Sequence, residues 1–304
     1  MNKAFKKQNL FVRSYKKFKR KSFSEKITYI LFFMLFLIMA IIFLYPIFST
    51  FLNSFRTGSD YSDPTRSPFA MPSKWITGSW GRVFTEFVIQ DTNYWGLVFN
   101  SMWMLVVRVT VNVLSSTMLA YAVARFRFPG KNFLYAVVIF TQTIPIIGAG
   151  AAGYKLFVSL NMINNPYVFW IAWACGFDFA FIVLYGTFKG ISNTYSEAAK
   201  IDGANNFTVL FKIIFPQAFP SIMALAITQA ISVWNDFNTP LIYLSRYPNV
   251  AYGLYVFQNE CWYLENTTAI HSAAIILSML PVMLLYAASQ KMILTNMTAG
   301  GLKG

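Results

Sequence analysis

The chain has 304 residues, of which 56% are hydrophobic and only 12% are charged. Ordinary soluble proteins carry about 25% charged residues, so the composition excludes a soluble protein of this size and indicates a membrane protein. The net charge of +14 lies largely in the first 26 residues, which hold 10 of the 25 lysines and arginines; this placement favours anionic lipid at a cytoplasmic surface, and we expect no nucleic-acid partner.

Six apolar segments are long enough to cross a bilayer, for which a helix needs roughly 20 residues. In chain order, we predict spans at about 27–50, 96–123, 133–153, 167–188, 219–244 and 271–293. They form a transmembrane domain over residues 27–294, between a basic N-terminal tail, 1–26, and a short C-terminal tail, 295–304. The sequence therefore predicts an all-α integral membrane protein with six transmembrane helices.

The distribution of lysine and arginine predicts the orientation. These residues are concentrated in the segments that face the cytoplasm if the N-terminus is inside, so we expect both termini to be cytoplasmic. The first apolar run is too long for a signal-peptide core, and we interpret it as a retained anchor in the cell membrane.

Few residues are suited to metal binding or to disulfide formation. Cys175 and Cys261 are far apart in the chain, and neither has metal-ligand residues beside it. His271 is the only histidine, which excludes a histidine-based metal site. We expect neither a disulfide nor a metal centre.

The segment 189–220 predicts a short helix that ends at a glycine turn. Thr194 and Glu197 have the spacing of a capping box, in which each side chain bonds the amide of the other residue. Gly203 then supplies the left-handed residue that ends a helix. The segment lies between two predicted spans, on the cytoplasmic side.

A second short helix is predicted over about 206–215, and Pro216 should end it. Pro220 suits the first turn of the next span. Because both short helices carry apolar residues, the residues themselves leave two alternatives open: an amphipathic loop that rests on lipid, or a loop that contacts a partner protein.

The spacing within this loop resembles the EAA loop of binding-protein-dependent ABC importer permeases. The residues that match are Glu197, Ala198, Ala199, Gly203, Ile213 and Pro216. In that family the loop forms a coupling helix that docks in a cleft of the ATP-hydrolysing subunit. The resemblance therefore implies an ATPase-coupling role for these residues and for Asp202, although Phe215 stands where the family usually has leucine.

Other segments are similar to carbohydrate permeases of the maltose type. They are Asn100-Ser101, Ala120-Tyr121-Ala122, Arg125, Phe128-Pro129-Gly130, Trp234-Asn235-Asp236-Phe237, Pro240-Leu241, Pro281 and Gly301-Leu302-Lys303-Gly304. The resemblance implies the type I ABC importer permease fold. Its implied partners are a second, different permease subunit, two ATP-hydrolysing subunits and an extracellular substrate-binding protein.

The chain itself has no phosphate-binding glycine loop that ends in Lys-Ser or Lys-Thr. We therefore expect no cofactor in this chain, and we expect ATP and magnesium to be bound by the partner ATPase subunits. Sparse carboxylates and a single histidine offer no convergent catalytic set, so we predict that the chain is not an enzyme.

Three charged residues fall inside the predicted spans, namely Arg108, Asp178 and Asp236. A charge at mid-bilayer costs on the order of 2.5–3.5 kcal/mol on insertion scales, and such residues usually face a bundle interior or water. We hypothesise that Arg108 pairs with Asp178 or with Asp236. The pair would be either a static packing contact or a part of the substrate path.

Sugar binding requires aromatic faces beside polar groups, which gives further candidates for the substrate path. They are Gln229, Trp234, Asn235, Asp236, Asn238, Tyr154 and Trp173. Gln229 and Asp236, at i and i+7, should share a helix face. For each aromatic residue, the alternative is anchoring at the membrane interface.

The function that fits these observations is a permease subunit of an ATP-driven importer for a sugar or oligosaccharide. The alternative is an ion-coupled secondary transporter that uses Asp178 or Asp236 as its coupling carboxylate, although six spans without a repeat favour it less.

Overall fold

The computed structural model describes residues 22–66, 70–144, 149–260 and 267–301. Within these ranges the chain forms helices and turns, with one isolated bridge between Ile89 and Thr92. The predicted all-α fold is confirmed. Most of the predicted N-terminal tail, and Cys261, lie outside the described residues.

Fourteen α-helices occur in the described ranges, and a π-helical segment, Val209–Ile214, joins the tenth helix to the eleventh. In chain order they are α1 Phe23–Asn53, α2 Gly58–Ser62, α3 Ser79–Glu86, α4 Tyr94–Arg125, α5 Lys131–Thr143, α6 Ala149–Ser159, α7 Pro166–Trp173, α8 Phe179–Gly190, α9 Asn193–Ile201, α10 Asn206–Thr208, α11 Phe215–Trp234, α12 Asn238–Ile242, α13 Val250–Glu260 and α14 Thr267–Gly301.

Four helical stretches in the described part of the chain are long and apolar enough to cross a membrane. They are Phe23–Asn53, Tyr94–Arg125, Asn206–Trp234 and Thr267–Gln290. Each of the predicted spans 133–153 and 167–188 is instead occupied by a pair of shorter helices, α5 with α6 and α7 with α8. The count of six spans therefore stays a prediction.

The break between α7 and α8 follows from close packing against α4. Gly176 has a φ of +64°, and a Cβ on it would lie 3.2 Å from the backbone carbon of Ser115 in α4. Only glycine fits this close approach without strain. Asp178 then starts α8, because its side chain accepts the amide of Phe181 at 3.1 Å. The prediction of one continuous helix over 167–188 is therefore wrong.

The predicted span 219–244 also ends too late, because α11 stops at Trp234. The carboxylate of Asp236 accepts the amides of Asn238 at 3.0 Å and Thr239 at 3.1 Å. These bonds turn the chain into the short helix α12. Gln229 and Asp236 therefore do not share a helix face, and the prediction that they do is wrong.

The long helix α4 lies at the centre of the structure and packs along α8 and α11. Near its C-terminal end it forms a buried core with α8 and with the π-helical segment; the core includes Val113, Ala120, Val123, Phe181, Leu184, Phe188, Leu210 and Ile214. A second core surrounds its N-terminal end and includes Val83, Phe87, Leu97, Phe257 and Ile270. Within a bilayer such cores stabilise the helices through van der Waals packing, because lipid is as apolar as the side chains.

The N-terminal helix α1 has a different surface. It begins with a capping box between Ser22 and Glu25, and it packs beside α14. Most of its apolar side chains are exposed. A helix whose apolar side chains are exposed along most of its length requires lipid or another subunit around it.

Candidate functional site

The loop predicted from the sequence as a coupling element, residues 189–220, begins with the helix α9. Its cap is Ser192, whose hydroxyl oxygen accepts the amide of Thr194 at 3.3 Å. The predicted capping box between Thr194 and Glu197 is therefore wrong. The reason is tertiary, because Arg125 of α4 bonds the chain on both sides of Ser192 and fixes the turn there.

The end of α9 agrees with the sequence. Gly203 has a φ of +85°, which is the left-handed conformation predicted for it. The amide of Asp202 donates to the carbonyl of Ala198 at 3.1 Å, and the amide of Ala204 donates to the carbonyl of Ala199 at 2.9 Å. The carbonyls at the end of the helix are thus satisfied within the turn.

The second half of the loop differs from the prediction, because no helix ends at Pro216. The helical path runs from Asn206 to Trp234 without a break. The π-helical segment before Pro216 has wider turns, and the amide of Phe215 bonds the carbonyl of Leu210. A wide turn accommodates a residue that lacks an amide and crowds the preceding carbonyls. Pro216 therefore lies in the first turn of α11, the place that the sequence analysis gave to Pro220.

The loop has one face packed on the protein and one face exposed. Ala199 is buried, and Ile213 is partly buried against the same core. On the other face Glu197, Ala198 and Asp202 are exposed. Large apolar side chains accompany them; Tyr195 is 56% exposed, Ile201 86%, Phe207 73% and Phe211 51%. Exposed apolar side chains on an otherwise polar loop are typical of a contact site.

The predicted ion pair forms between Arg108 and Asp236. The same carboxylate accepts the hydroxyl of Thr239 at 2.6 Å. The guanidinium lies over the ring of Trp173, 5.9 Å from its centroid. The exposed fraction of the side chain is 30% for Arg108 and 17% for Asp236, so the pair is partly buried and its carboxylate is the less exposed member.

The other predicted partner, Asp178, does not pair with Arg108. Its carboxylate accepts the hydroxyl of Ser116 at 2.9 Å and the amide of Phe181 at 3.1 Å. The carboxylate is therefore held as a helix cap between α4 and α8. Both candidate coupling carboxylates, Asp178 and Asp236, have fixed donors, which does not support an ion-coupled transporter.

The remaining substrate-path candidates are not gathered into one site. The indole of Trp234 is buried and donates to the carbonyl of Ser278 at 3.1 Å. Asn235 is exposed, as are Asn238 and Tyr154. The Tyr154 ring lies 6.3 Å from that of Tyr243, centroid to centroid. Only Trp173 joins the Arg108–Asp236 pair directly.

The sequence analysis assigned no role to two residues that hold these regions in place, Asn249 and Arg125. Asn249 is buried, and its side-chain amide donates to the carbonyl of Asp236 at 2.8 Å. Its side-chain oxygen accepts the amide of Tyr252 at 2.8 Å and caps α13. Arg125 bonds the start of α9. An asparagine before an apolar helix is a cap signal, whereas nothing local to Arg125 indicates its distant partners.

The long apolar helices, the partly buried ion pair and the exposed loop fit a membrane transport component rather than an enzyme. The profile of the family described as "Binding-protein-dependent transport system inner membrane component" matches residues 113–298. The chain belongs to this family and is an inner-membrane protein.

Known relatives align with most of this chain. It is 28% identical over 271 residues to the arabinooligosaccharides transport system permease protein AraQ of Halalkalibacterium halodurans, covering 88% of this chain and 94% of that protein. It is 26% identical over 269 residues to the diacetylchitobiose uptake system permease protein NgcG of Streptomyces coelicolor, covering 88% and 86%.

A solved structure has the same fold. It is a chain of a bacterial ABC transporter involved in the import of the acidic polysaccharide alginate, with 26% identity and a TM-score of 0.75. The match covers 89% of this chain and 98% of that chain. The predicted type I ABC importer permease fold is confirmed.

Proposed function

We propose that this chain is the permease subunit of an ATP-driven importer that translocates a sugar or oligosaccharide delivered by an extracellular binding protein. The family supports the transport role, and the relatives named above are permeases for oligosaccharides. The chain would work with a second, different permease subunit and with two ATPase subunits. Those ATPase subunits would bind ATP and magnesium.

The observation that carries this proposal is the exposed face of α9. Thr194, Glu197, Ala198 and Ile201 are spaced at i, i+3, i+4 and i+7, so they lie on one face of the helix. All four are exposed, while Ala199 is buried behind them. A short helix supported by the core on one side and free on the other is suited to fit into a cleft of a partner.

The coupling residues divide by position in this proposal. Glu197, Ala198 and Asp202 would touch the ATPase, with the small alanine permitting close approach. Ala199 and Ile213 would hold the loop on the transmembrane core. A further pair, Gly203 and Pro216, would shape the backbone; the first ends α9, and the second lies where the π-helical segment enters α11.

The Arg108–Asp236 pair has a different role in this proposal. Asp236 orients α12, and Asn249 holds the same turn from α13. We propose that the pair fixes the position of the segment that follows α11. Arg108 and Trp173 remain candidates to line the substrate path, because the guanidinium is partly exposed beside the ring.

The experiment that tests the proposal is co-purification of the ATPase subunits after mild detergent extraction. Ile201→Ser removes a side chain that is 86% exposed. If this side chain is buried on docking, its loss should weaken the complex by about 1.5–3 kcal/mol, or roughly 10- to 150-fold in affinity. Glu197→Lys, on the same face, should abolish transport while the protein still inserts.

The matched control is Lys200→Ser, which changes an exposed neighbour that points to a different side of α9. This variant should retain the ATPase subunits. Equal retention of the ATPase by Ile201→Ser and Lys200→Ser would show that the face does not dock, and the proposed function would then lose its main support.

A further inference from the structure

The guanidinium of Arg125 connects α4 to the start of α9. Arg125 is the last residue of α4, and its Nη2 donates to the carbonyl of Ile191 at 2.7 Å. Its Nη1 donates to the side-chain oxygen of Asn193. Ile191 and Ser192 are the two residues between α8 and α9. The planar guanidinium therefore bonds the chain on both sides of Ser192, once in the linker and once at the first residue of α9, with a fixed geometry that a flexible ammonium does not provide.

The packing around this contact is tight. One turn before Arg125, Tyr121 is only 7% exposed. Its ring packs edge-to-face on Phe188 at the end of α8 and on Phe126, with 5.6 Å between centroids in both pairs. A close-packed contact of this kind transmits a displacement rather than absorbing it.

The opposite end of α4 holds the segment 236–250, which links α11 to α13. Asn100 donates to the carbonyl of Pro248 at 2.8 Å, and the hydroxyl of Ser101 accepts the amide of Val250 at 2.9 Å. The Arg108–Asp236 pair adds a third connection, near the middle of α4. Directed polar bonds thus join α4 to the α9 linker at one end and to the 236–250 segment at the other.

Among the helices of the described ranges that are joined to α9, α4 is the long one without interruption. It has 32 residues and is about 48 Å long at 1.5 Å per residue. α8 has 12 residues and stops at the break before Asp178. The path through α11 contains the π-helical segment and two prolines, Pro216 and Pro220; both features are common sites of bending.

We propose that Arg125 is the positioning residue through which movement of α9 reaches α4, and that α4 carries this movement as one body to the 236–250 segment. The inference rests on the proposed function, in which α9 docks on an ATPase. The nucleotide state of the ATPase would then change the exposure of a segment at the far end of α4.

The test uses the assembled complex and needs no knowledge of the transported sugar. Arg246 is exposed in the 236–250 segment, and Arg246→Cys, with Cys175→Ser and Cys261→Ser, leaves one reporter thiol in this chain, whose labelling is followed on the separated subunit. The measurement is its rate of labelling by a membrane-impermeant maleimide, without nucleotide and after trapping with ATP, magnesium and vanadate. ATP hydrolysis and retention of the ATPase subunits are measured in parallel.

In this background, Arg125→Met keeps an apolar stem and removes the donors. It should retain the ATPase subunits and hydrolyse ATP, but lose most of the nucleotide-dependent change in labelling. Arg125→Lys, which replaces the planar guanidinium by a single ammonium, should lose a large part of the nucleotide-dependent change in labelling. Asn193→Ala removes one of the two bonds and should lose less. The control, Arg127→Met, alters an exposed arginine beyond the end of α4 and should behave like the parent.

Three results would overturn the inference, and they differ in what they imply for the proposed function. A full labelling response in Arg125→Met and Arg125→Lys would refute the role of Arg125 and leave the proposed function intact. A parent complex without ATPase subunits would refute both together. A parent that retains the ATPase subunits and hydrolyses ATP, but shows no nucleotide response at position 246, would refute the inference alone. If Arg125→Met fails to assemble, the graded loss expected across Arg125→Lys and Asn193→Ala decides the question.

Discussion

The two members of the Arg108–Asp236 pair should respond unequally to neutralisation. After Arg108→Gln, the carboxylate of Asp236 keeps three donors, which are the amides of Asn238 and Thr239 and the hydroxyl of Thr239. After Asp236→Asn, the guanidinium keeps a 3.4 Å contact to the Thr239 hydroxyl and the ring of Trp173. The cation then has no anion beside it, so Asp236→Asn should be the more damaging change.

The magnitude follows from the partial burial of the pair. Breaking a fully buried pair costs about 3–5 kcal/mol, and an exposed pair contributes about 0–1 kcal/mol. With exposed fractions of 30% and 17%, we expect Asp236→Asn to lower the free energy of unfolding by about 3 kcal/mol and Arg108→Gln by about 1–2 kcal/mol. The double variant should recover about 1 kcal/mol relative to the sum of the two losses.

Exchange of the two charges should not restore stability, although a simple pair would tolerate it. An arginine at position 236 cannot accept the amides of Asn238 and Thr239, which the carboxylate now holds. The exchanged variant should therefore be less stable than the double neutral variant.

The assay is unfolding by SDS in mixed micelles, followed by tryptophan fluorescence. The control pair is Arg82 and Glu86, an i,i+4 pair at 2.6 Å whose side chains are 32% and 33% exposed. Neutralising either member should change the free energy of unfolding by less than about 1 kcal/mol. Equal losses for Arg108→Gln and Asp236→Asn, or a strictly additive double variant, would refute the reasoning.

Three further predictions concern single residues. Gly203→Ala should destabilise the loop by about 1–2 kcal/mol, because its φ of +85° is left-handed, while Gly203→Asn should be milder; limited proteolysis of the loop compares them. Asp178→Ala removes a helix cap and should lower the free energy of unfolding by about 0.5–2 kcal/mol. Asp178→Asn should keep ATP-dependent uptake in vesicles. Loss of uptake in Asp178→Asn would support the ion-coupled alternative. The Ser73 amide, 2.9 Å away, lowers the pKa of Asp60. The contribution of the Asp60 carboxylate to the free energy of unfolding should be present above the unfolded pKa of about 3.9 and lost as pH falls through the lower folded value. In Asp60→Asn this loss of stability in acid should be smaller.

Several properties were accessible from the sequence because they depend on composition or on short spacings. The low charge and the long apolar runs determined the membrane class. The turn at Gly203 was predictable because a glycine after a short helical run meets a local backbone requirement. The family resemblance also lay in local spacing, from Glu197 to Pro216, and the family profile confirmed it.

The tertiary structure decided where helices stop and which charges meet. The break before Asp178 depends on the approach of Gly176 to α4, and the cap at Ser192 depends on Arg125, 66 positions from Ile191. The sequence left Arg108 with two candidate partners, and only the packing of the helices selected Asp236. Hydropathy and spacing describe neighbours along one helix, whereas these outcomes depend on distances between helices, which no local pattern contains.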